Sequence, residues 1–229
     1  MADDALVAPG RARVRVSTHS GRVTVTAEPR DDIVVVRGKR GETTSPADDV
    51  DVVLNASSSD VEVRCPVGTD VVVGSASGSV QLQGHLGAAR VTTASGSIRV
   101  ESVASADLRT HSARVEVDEC LGPCRVMNTS GRVEVHRARE VEVKCVSGSI
   151  EVAGDAVRVR TVSGKVRIDT NLHAWVETVS GKVEVWVPPG FHPAVRSRGH
   201  GRVEIGVPQG NDGEISVRSV SGSVRVRSR

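Results

Sequence analysis

Aromatic residues are almost absent from this chain. Its 229 residues include no tyrosine, one phenylalanine and two tryptophans, so few side chains are available to shape an aromatic ligand pocket. Residues typical of helices are also scarce, with 7 leucines, 2 methionines and 4 lysines. Because β-branched residues favour strands, the 46 valines, together with 23 glycines and 25 serines, indicate an all-β protein.

The chain also lacks a large excess of one charge. Its 30 basic and 28 acidic residues leave a net charge of +2, which disfavours nucleic-acid binding because such proteins carry a strong basic excess. No apolar run approaches the roughly 20 residues of a membrane-spanning helix, and residues 1–4 do not begin a signal peptide. The sequence as given therefore predicts a cytoplasmic protein that does not span a membrane.

A short motif, Ser-Gly-x-Val-x-Val, recurs along the chain. Clear copies have their glycine, position 0 of the repeat, at Gly21, Gly96, Gly131, Gly148, Gly164, Gly181 and Gly222. Weaker copies are anchored at Gly41, Ser59, Gly78, Ala113 and Gly201. The 12 anchors lie 16 to 21 residues apart, and a period this steady over nearly the whole chain is typical of a repeat architecture.

Aliphatic residues alternate on both sides of each anchor. Positions +2 and +4 are Val, Ile or Leu in every copy except that at Gly41. Positions −7 and −5 are apolar in most copies, as in Val34 and Val36 or Val157 and Val159. This period of two predicts one strand before and one strand after each anchor. The alternation breaks between −5 and −2, which predicts a corner. The glycine there serves either a turn with positive φ or close approach of neighbouring coils.

Two inward-facing strands in a repeat of about 17–18 residues predict one coil of a parallel β-solenoid. We expect a tail at residues 1–10, then a single solenoid domain at residues 11–229 with about 12 coils stacked in chain order. Right-handed winding is expected from strand-crossover preference, and irregular loops are expected near residues 26–50 and 186–200. An antiparallel meander with Ser-Gly hairpin turns is the alternative, but it does not explain a constant long period.

Two longer copies of the motif resemble a known family. Thr-Val-Ser-Gly-Lys-Val occurs at residues 161–166 and 178–183, and Pro-x-Gly breaks occur at residues 66–68 and 208–210. This pattern resembles the bacterial β-strand-repeat family of adhesin-like domains (domain of unknown function 4097), over residues 10–229. The resemblance implies a β-solenoid structure and a loose association with cell surfaces, and it brings no catalytic residues.

Four cysteines are candidate metal ligands or disulfide partners: Cys65, Cys120, Cys124 and Cys145. The spacing of Cys120 and Cys124 is compatible with zinc, but no second pair with such spacing accompanies it. Buried thiols are the favoured interpretation, because Cys124 takes an inward position of the repeat, where a thiol acts as a small hydrophobe. A zinc site and a disulfide are the alternatives, and no metal or cofactor is expected.

Two outward-facing features are candidate interaction surfaces. A basic stripe on the strand before the glycine could contact an anionic polymer or a membrane surface; it comprises Arg109, Arg125, Lys144, Arg158 and Arg160. Without interleaved aromatics, its binding of nucleic acid is disfavoured. Trp186 and Phe191 flank a long loop and could bind a sugar or a protein, or instead plug a corner of the coil.

The ends of a solenoid present unpaired strand edges. We expect the last repeat, residues 221–226, to form one such end. The primary hypothesis is therefore a non-enzymatic scaffold or interaction module that binds a protein partner or a second copy of itself, end to end or along an edge. An adhesin-like module that binds carbohydrate or the cell envelope is the alternative. A polysaccharide-active enzyme is disfavoured, because no constellation of paired carboxylates recurs at one level of the stack.

Overall fold

The computed structural model describes residues 6–7, 12–37 and 52–229. These residues form strands, turns and irregular segments and no helix, so the predicted all-β fold is confirmed; no helix among them could cross a membrane. The described strands, in chain order, are β1 (Leu6–Val7), β2 (Arg13–Thr18), β3 (Val23–Glu28), β4 (Asp32–Arg37), β5 (Val52–Ala56), β6 (Val61–Pro66), β7 (Asp70–Ser75), β8 (Val80–Thr93), β9 (Ile98–Val187), β10 (Ala194–Gly199), β11 (Arg202–Ile205) and β12 (Glu214–Ser228).

The chain divides into two compact units, Met1–Leu121 and Gly122–Arg229. Strands β1 to β8 belong to the first unit and β10 to β12 to the second, while β9 contributes residues to both. This division does not test the predicted single domain at residues 11–229, which stays a prediction. Within the predicted tail at residues 1–10, the structure describes Leu6 and Val7, whose backbone pairs with β4.

Equivalent residues of different repeats lie side by side in the first unit. Strand β7 pairs in parallel with β2 and with β8, so that Val71 is opposite Val14 and Ala89. Both valines are fully buried, and burying a valine side chain stabilises a fold by roughly 1.5–3 kcal/mol. Wherever two different described strands meet, they pair in parallel, except at β4. The alternative of an antiparallel meander is therefore wrong for these strands.

The coils of the first unit are not stacked in chain order. Val14 of β2 is opposite Val52 of β5 on one side and Val71 of β7 on the other. In the same way, β3 pairs with both β6 and β8. The coil of β2 and β3 thus lies between the coil of β5 and β6 and that of β7 and β8, and the predicted stacking in chain order is wrong here.

Strand β4 departs from the repeat. It runs antiparallel to β6 and to β1, and the side chain of Val36 is 49% exposed, so the prediction of an inward strand at Val34 and Val36 is wrong. The physical reason is the weak copy at Gly41, whose +2 and +4 positions are threonine and serine and cannot fill an apolar coil. That anchor lies outside the described residues. Strand β4 instead covers an edge of β6.

In the second unit, too, some coils are not stacked in chain order. Ile215 of β12 is opposite Ala174 of β9 on one side and Val195 of β10 on the other. Val224 is likewise opposite Val183 of β9 and Val203 of β11. The last repeat in the chain is therefore enclosed between two others, and the expectation that residues 221–226 form an open end is wrong. The coil formed by β10 and β11, the outer coil, instead lies beyond β12 with one side unpaired among the described strands.

At several corners the side chain three positions before the glycine makes a hydrogen bond across the bend. The hydroxyl groups of Thr161 and Thr178 donate to the carbonyl oxygens of Ser163 and Ser180, both at 3.1 Å. The thiol of Cys145, at the equivalent position, donates to the carbonyl oxygen of Ser147 at 3.2 Å. These bonds satisfy buried side chains and fix the bend between the two strands of a coil.

The corner glycines lie too close together for a larger residue. Gly164 has a φ of +128°, and a Cβ built on it would overlap the carbonyl oxygen of Gly148. Gly96 has no positive φ, yet a Cβ there would overlap the carbonyl oxygen of Gly78. Positive φ and close approach of coils, the two roles expected for this glycine, thus both occur.

We expect Gly96→Ala to destabilise the protein by about 2–4 kcal/mol, because the backbone of the neighbouring corner must move to admit a methyl group. The matched control is Gly74→Ala in β7, where a Cβ would meet nothing within 4 Å and the free energy of unfolding should change by under about 1 kcal/mol. Urea unfolding followed by circular dichroism measures both variants. Equal stabilities would contradict the proposed close packing of corners.

Candidate functional site

A groove of about 300 Å³ crosses four successive coils of the second unit. Beneath the groove lie Cys124, Val141 and Val157, at position −7 of their repeats, with their side chains buried in the core. Residues at positions −8 and −6, on either side of position −7, form the walls of the groove. Position −8 is occupied by Pro123, Glu140, Ala156 and His173, and position −6 by Arg125, Glu142, Arg158 and Trp175. The groove arises because positions on either side of an inward residue point outward in a strand.

Ion pairs hold one end of this groove in place. Glu142 lies 3.1 Å from the ammonium group of Lys144 and 3.7 Å from the guanidinium group of Arg125. The hydrogen bond from Lys144, followed by the charges of nearby cations, holds the pKa of Glu142 below its ordinary value. The carboxylate is therefore ionised at neutral pH, and it orients two of the basic side chains.

Trp175 forms the other end of the groove. The guanidinium carbons of Arg158 and Arg160 lie 5.1 and 4.9 Å from the centre of its ring, which is the geometry of a cation–π contact. Arg160 is also 3.4 Å from the carboxylate of Glu177. Arg158, in contrast, has no carboxylate within 4.0 Å among the described residues, so its guanidinium has hydrogen-bonding capacity to offer.

The structure thus brings together most of the predicted basic stripe. Arg125, Lys144, Arg158 and Arg160 all lie in the second unit, in or beside the groove. Arg109 belongs to the first unit, where its guanidinium lies 3.0 Å from Asp107. Acidic residues neutralise much of the stripe, which disfavours a simple electrostatic contact with a polyanion.

The two predicted aromatic residues are both half-buried. Arg167 lies over the ring of Trp186, 5.5 Å from its centre, and the indole N–H is buried without a hydrogen-bond partner among the described residues. The ring of Phe191 lies against Gly213, close enough that a Cβ there would be 2.6 Å from its Cζ atom. This packing favours a plug over the coil, and a role of these residues in binding stays a prediction.

The first unit has a broader depression of about 490 Å³, lined by Gln81, Leu82, Gln83, Arg99, Glu101 and Asp118. Arg99 lies 3.3 Å from Glu116 and 3.7 Å from Asp118. The carboxylate of Glu101 accepts a hydrogen bond from the backbone N–H of Gly84. Arg99 and the carboxylates of Glu101 and Asp118 already have partners in the protein. The depression is therefore a weaker candidate binding site than the groove of the second unit.

The four cysteines, which all lie in the described part of the chain, are buried and form no disulfide. The disulfide alternative is therefore wrong in this structure. Burial is the largest cause that raises the pKa of the Cys65 and Cys145 thiols. These thiols are protonated at neutral pH and poorly nucleophilic, in line with the interpretation as small core residues.

Two exposed apolar surfaces were not expected from the sequence. The valine ladder, at position −2 in four repeats of the second unit, comprises Val146, Val162, Val179 and Val220, each 48–58% exposed. The second surface is the outer coil, β10 and β11, where Val203 and Ile205 are 41% and 37% exposed. Exposed apolar patches on a soluble protein commonly mark interaction sites.

Comparison with known proteins identifies the family of this chain. The Toastrack family model (DUF4097) matches residues 9–189. The chain belongs to the Toastrack family. The resemblance drawn from the repeat motif is therefore confirmed, and no curated protein matches this Toastrack chain.

A similar solved structure is that of a candidate cell adhesion protein from Clostridium sporogenes. It is 10% identical, the match covers 100% of the Toastrack chain and 99% of that protein, and the TM-score is 0.23. A TM-score this low carries no argument about the fold or the function of the Toastrack protein.

Trp175 is the functional candidate that sequence reasoning missed. A signal was available, because Trp175 replaces the charged residue that position −6 carries in the three preceding repeats, Arg125, Glu142 and Arg158. Trp186 and Phe191 attracted attention instead because they are close in sequence. Position within the repeat is the better guide, since stacking places equivalent positions side by side.

We expect Glu142→Gln to lower the free energy of unfolding by up to about 1 kcal/mol at pH 7, because it removes an exposed ion pair. Since the pKa of Glu142 is lowered in the folded protein, its contribution is present above the ordinary value of 4.5 and is lost as the pH falls below it. Glu140→Gln is the control, as no cation lies within 4.0 Å of Glu140 among the described residues. Thermal unfolding between pH 3 and pH 7 measures the stability of each variant relative to wild type. A stability difference between Glu142→Gln and wild type that stays constant over this pH range would contradict the prediction.

Burial of the cysteines predicts slow thiol modification. We expect the native protein to react with Ellman's reagent at under about one-hundredth of the rate of the unfolded chain, because the buried thiols become accessible to the reagent only when the protein unfolds locally or globally. In denaturant all 4 cysteines should react at once. Rapid labelling of even one thiol in the native protein would contradict the burial of that cysteine.

Proposed function

We propose that this Toastrack protein is a non-enzymatic interaction module that binds a second copy of itself through its outer coil. In the proposal the repeats other than the copy anchored at Gly41 wind as a right-handed parallel β-solenoid of about 11 coils. It acts in the cytoplasm, where four cysteines without a disulfide stay reduced. Membership of the Toastrack family over residues 9–189 supports the architecture.

The observation that carries the proposal is the exposure of Val203 and Ile205. Both occupy inward positions of the repeat, opposite Val224 and Val226 of β12. Those two partners are 1% and 0% exposed, whereas Val203 and Ile205 are 41% and 37% exposed. A further coil placed on β11 would bury them as the other inward residues are buried.

The backbone of the outer coil supports the same conclusion. Within the described residues, β10 and β11 pair with β12 alone, so their other side presents unpaired N–H and C=O groups. Such an edge accepts an added strand. A coil of the same repeat is the partner of matching strand length and side-chain spacing, which favours a second copy over an unrelated protein.

Sedimentation velocity over a range of protein concentrations tests this function. We expect wild type to associate as concentration rises, and the double variant Val203→Glu, Ile205→Glu to stay monomeric, because two carboxylates cannot be buried unpaired between coils. Both positions are exposed, so the variant should fold. Circular dichroism checks that it does.

The matched control is the double variant Val162→Glu, Val179→Glu, which places the same charges on the valine ladder. It should associate as wild type does. If the ladder variant is monomeric and the outer-coil variant associates, the contact is lateral and the proposal is wrong. A wild-type protein that is monomeric at all concentrations also overturns it.

A further inference from the structure

We propose that the groove of the second unit binds a uronate, the carboxylated sugar unit of an acidic polysaccharide. This inference does not depend on self-association, since the outer coil contributes no residue to the groove. The groove volume of about 300 Å³ lies at the lower end of the range for small-ligand sites. It suits one or two sugar rings rather than a large cofactor.

The cation that would recognise the carboxylate is Arg158. Its neighbours are already engaged, Arg125 with Glu142 at 3.7 Å and Arg160 with Glu177 at 3.4 Å. Arg158 is exposed and, in the described part of the chain, has no carboxylate within 4.0 Å. A guanidinium fork binds a carboxylate with two parallel hydrogen bonds, so an incoming carboxylate finds an unused donor pair here.

Two further groups match the hydroxyl groups of a sugar. Glu140 is exposed and has no cation within 4.0 Å among the residues that the structure describes, so its carboxylate can accept from hydroxyls. The Nδ1 atom of His173 accepts a hydrogen bond from the backbone N–H of Glu214, at 3.2 Å. The neutral ring therefore carries its proton on Nε2, which is a donor.

The apolar part of the groove matches the C–H face of a sugar ring. Trp175, half-buried at one end of the groove, is the apolar side chain that a sugar ring would meet there. An indole ring presents a rigid apolar surface at little cost in conformational entropy. One guanidinium, one carboxylate and one aromatic ring together correspond to the carboxylate, hydroxyls and apolar face of a uronate.

An acidic peptide fits the groove less well. The groove crosses the strands instead of following an open edge, so an extended peptide cannot gain main-chain hydrogen bonds by strand addition. A run of aspartates or glutamates would also meet the carboxylates of Glu140 and Glu142 in the groove walls. A uronate meets the same repulsion at its carboxylate, but its hydroxyls can donate to Glu140 and Glu142, which ionised aspartate and glutamate side chains cannot do.

Isothermal titration calorimetry with trigalacturonate tests the proposal, with maltotriose as the neutral sugar and triglutamate as the acidic peptide. We expect wild type to bind trigalacturonate, to bind it more weakly as salt is added, and to bind the other two at least tenfold more weakly. Arg158→Gln should lower the affinity for trigalacturonate at least tenfold. Arg158→Lys, which keeps the charge but not the fork, should give an intermediate loss.

The matched control is Arg196→Gln on β10, an exposed arginine outside the groove, and it should bind as wild type does. Trp186→Phe leaves Trp175 as the single tryptophan, so its fluorescence should change on addition of trigalacturonate in proportion to the calorimetric saturation. If Trp186→Phe folds poorly, the calorimetric titrations alone still test the proposal. Absence of binding, equal binding of maltotriose, tighter binding of triglutamate, or an unchanged affinity in Arg158→Gln would each overturn the assignment.

Discussion

The approach of one backbone corner to the next is the constraint on which this Toastrack protein depends. Parallel strands lie roughly 4.8 Å apart, and at the corners nothing separates the chain of one coil from that of the next. Gly148, Gly164, Gly181 and Gly222 follow one another in this way, each positioned so that a Cβ would overlap the carbonyl oxygen of the preceding glycine. Because the corners close, the strands on either side stay in register, and the inward valines meet their equivalents. Burial of the core thus follows from the shape of the corner, and the outward positions −8 and −6 are brought into columns by the same register.

Those columns give the protein its surfaces. In most folds a binding site collects residues from distant segments, whereas here it collects the same repeat position from successive coils. Arg125, Glu142, Arg158 and Trp175 are one such column. A single substitution in one repeat therefore changes one step of a regular surface while the core remains the same. This arrangement separates the residues that stabilise the coil from those available for recognition.

The local fold was predictable because period-two alternation around Val157 and Val159, and around Val183 and Val185, has one geometric interpretation. The order of the coils was not predictable. Val14, Val52 and Val71 are chemically equivalent neighbours, so any of them packs well against another, and the connecting loops decide which are adjacent. The basic residues of the groove were predictable as outward-facing. Their ion pairing was not predictable, because whether Arg158 or Arg160 meets a carboxylate depends on the charge that the next coil places beside it. Of these two arginines, Arg160 is the one that lies within 4.0 Å of Glu177.

The enclosed position of β12 has a consequence for the protein during its synthesis. Residues 194–205 leave the ribosome before residues 214–228, yet among the described strands they pair with β12 alone. Until residues 214–228 are translated, this segment has no strand on which to dock, and residues 173–187 lack the strand that β12 places beside them. Closure of these coils therefore waits for β12, and a chain interrupted before residue 214 would leave two segments without a partner strand instead of one.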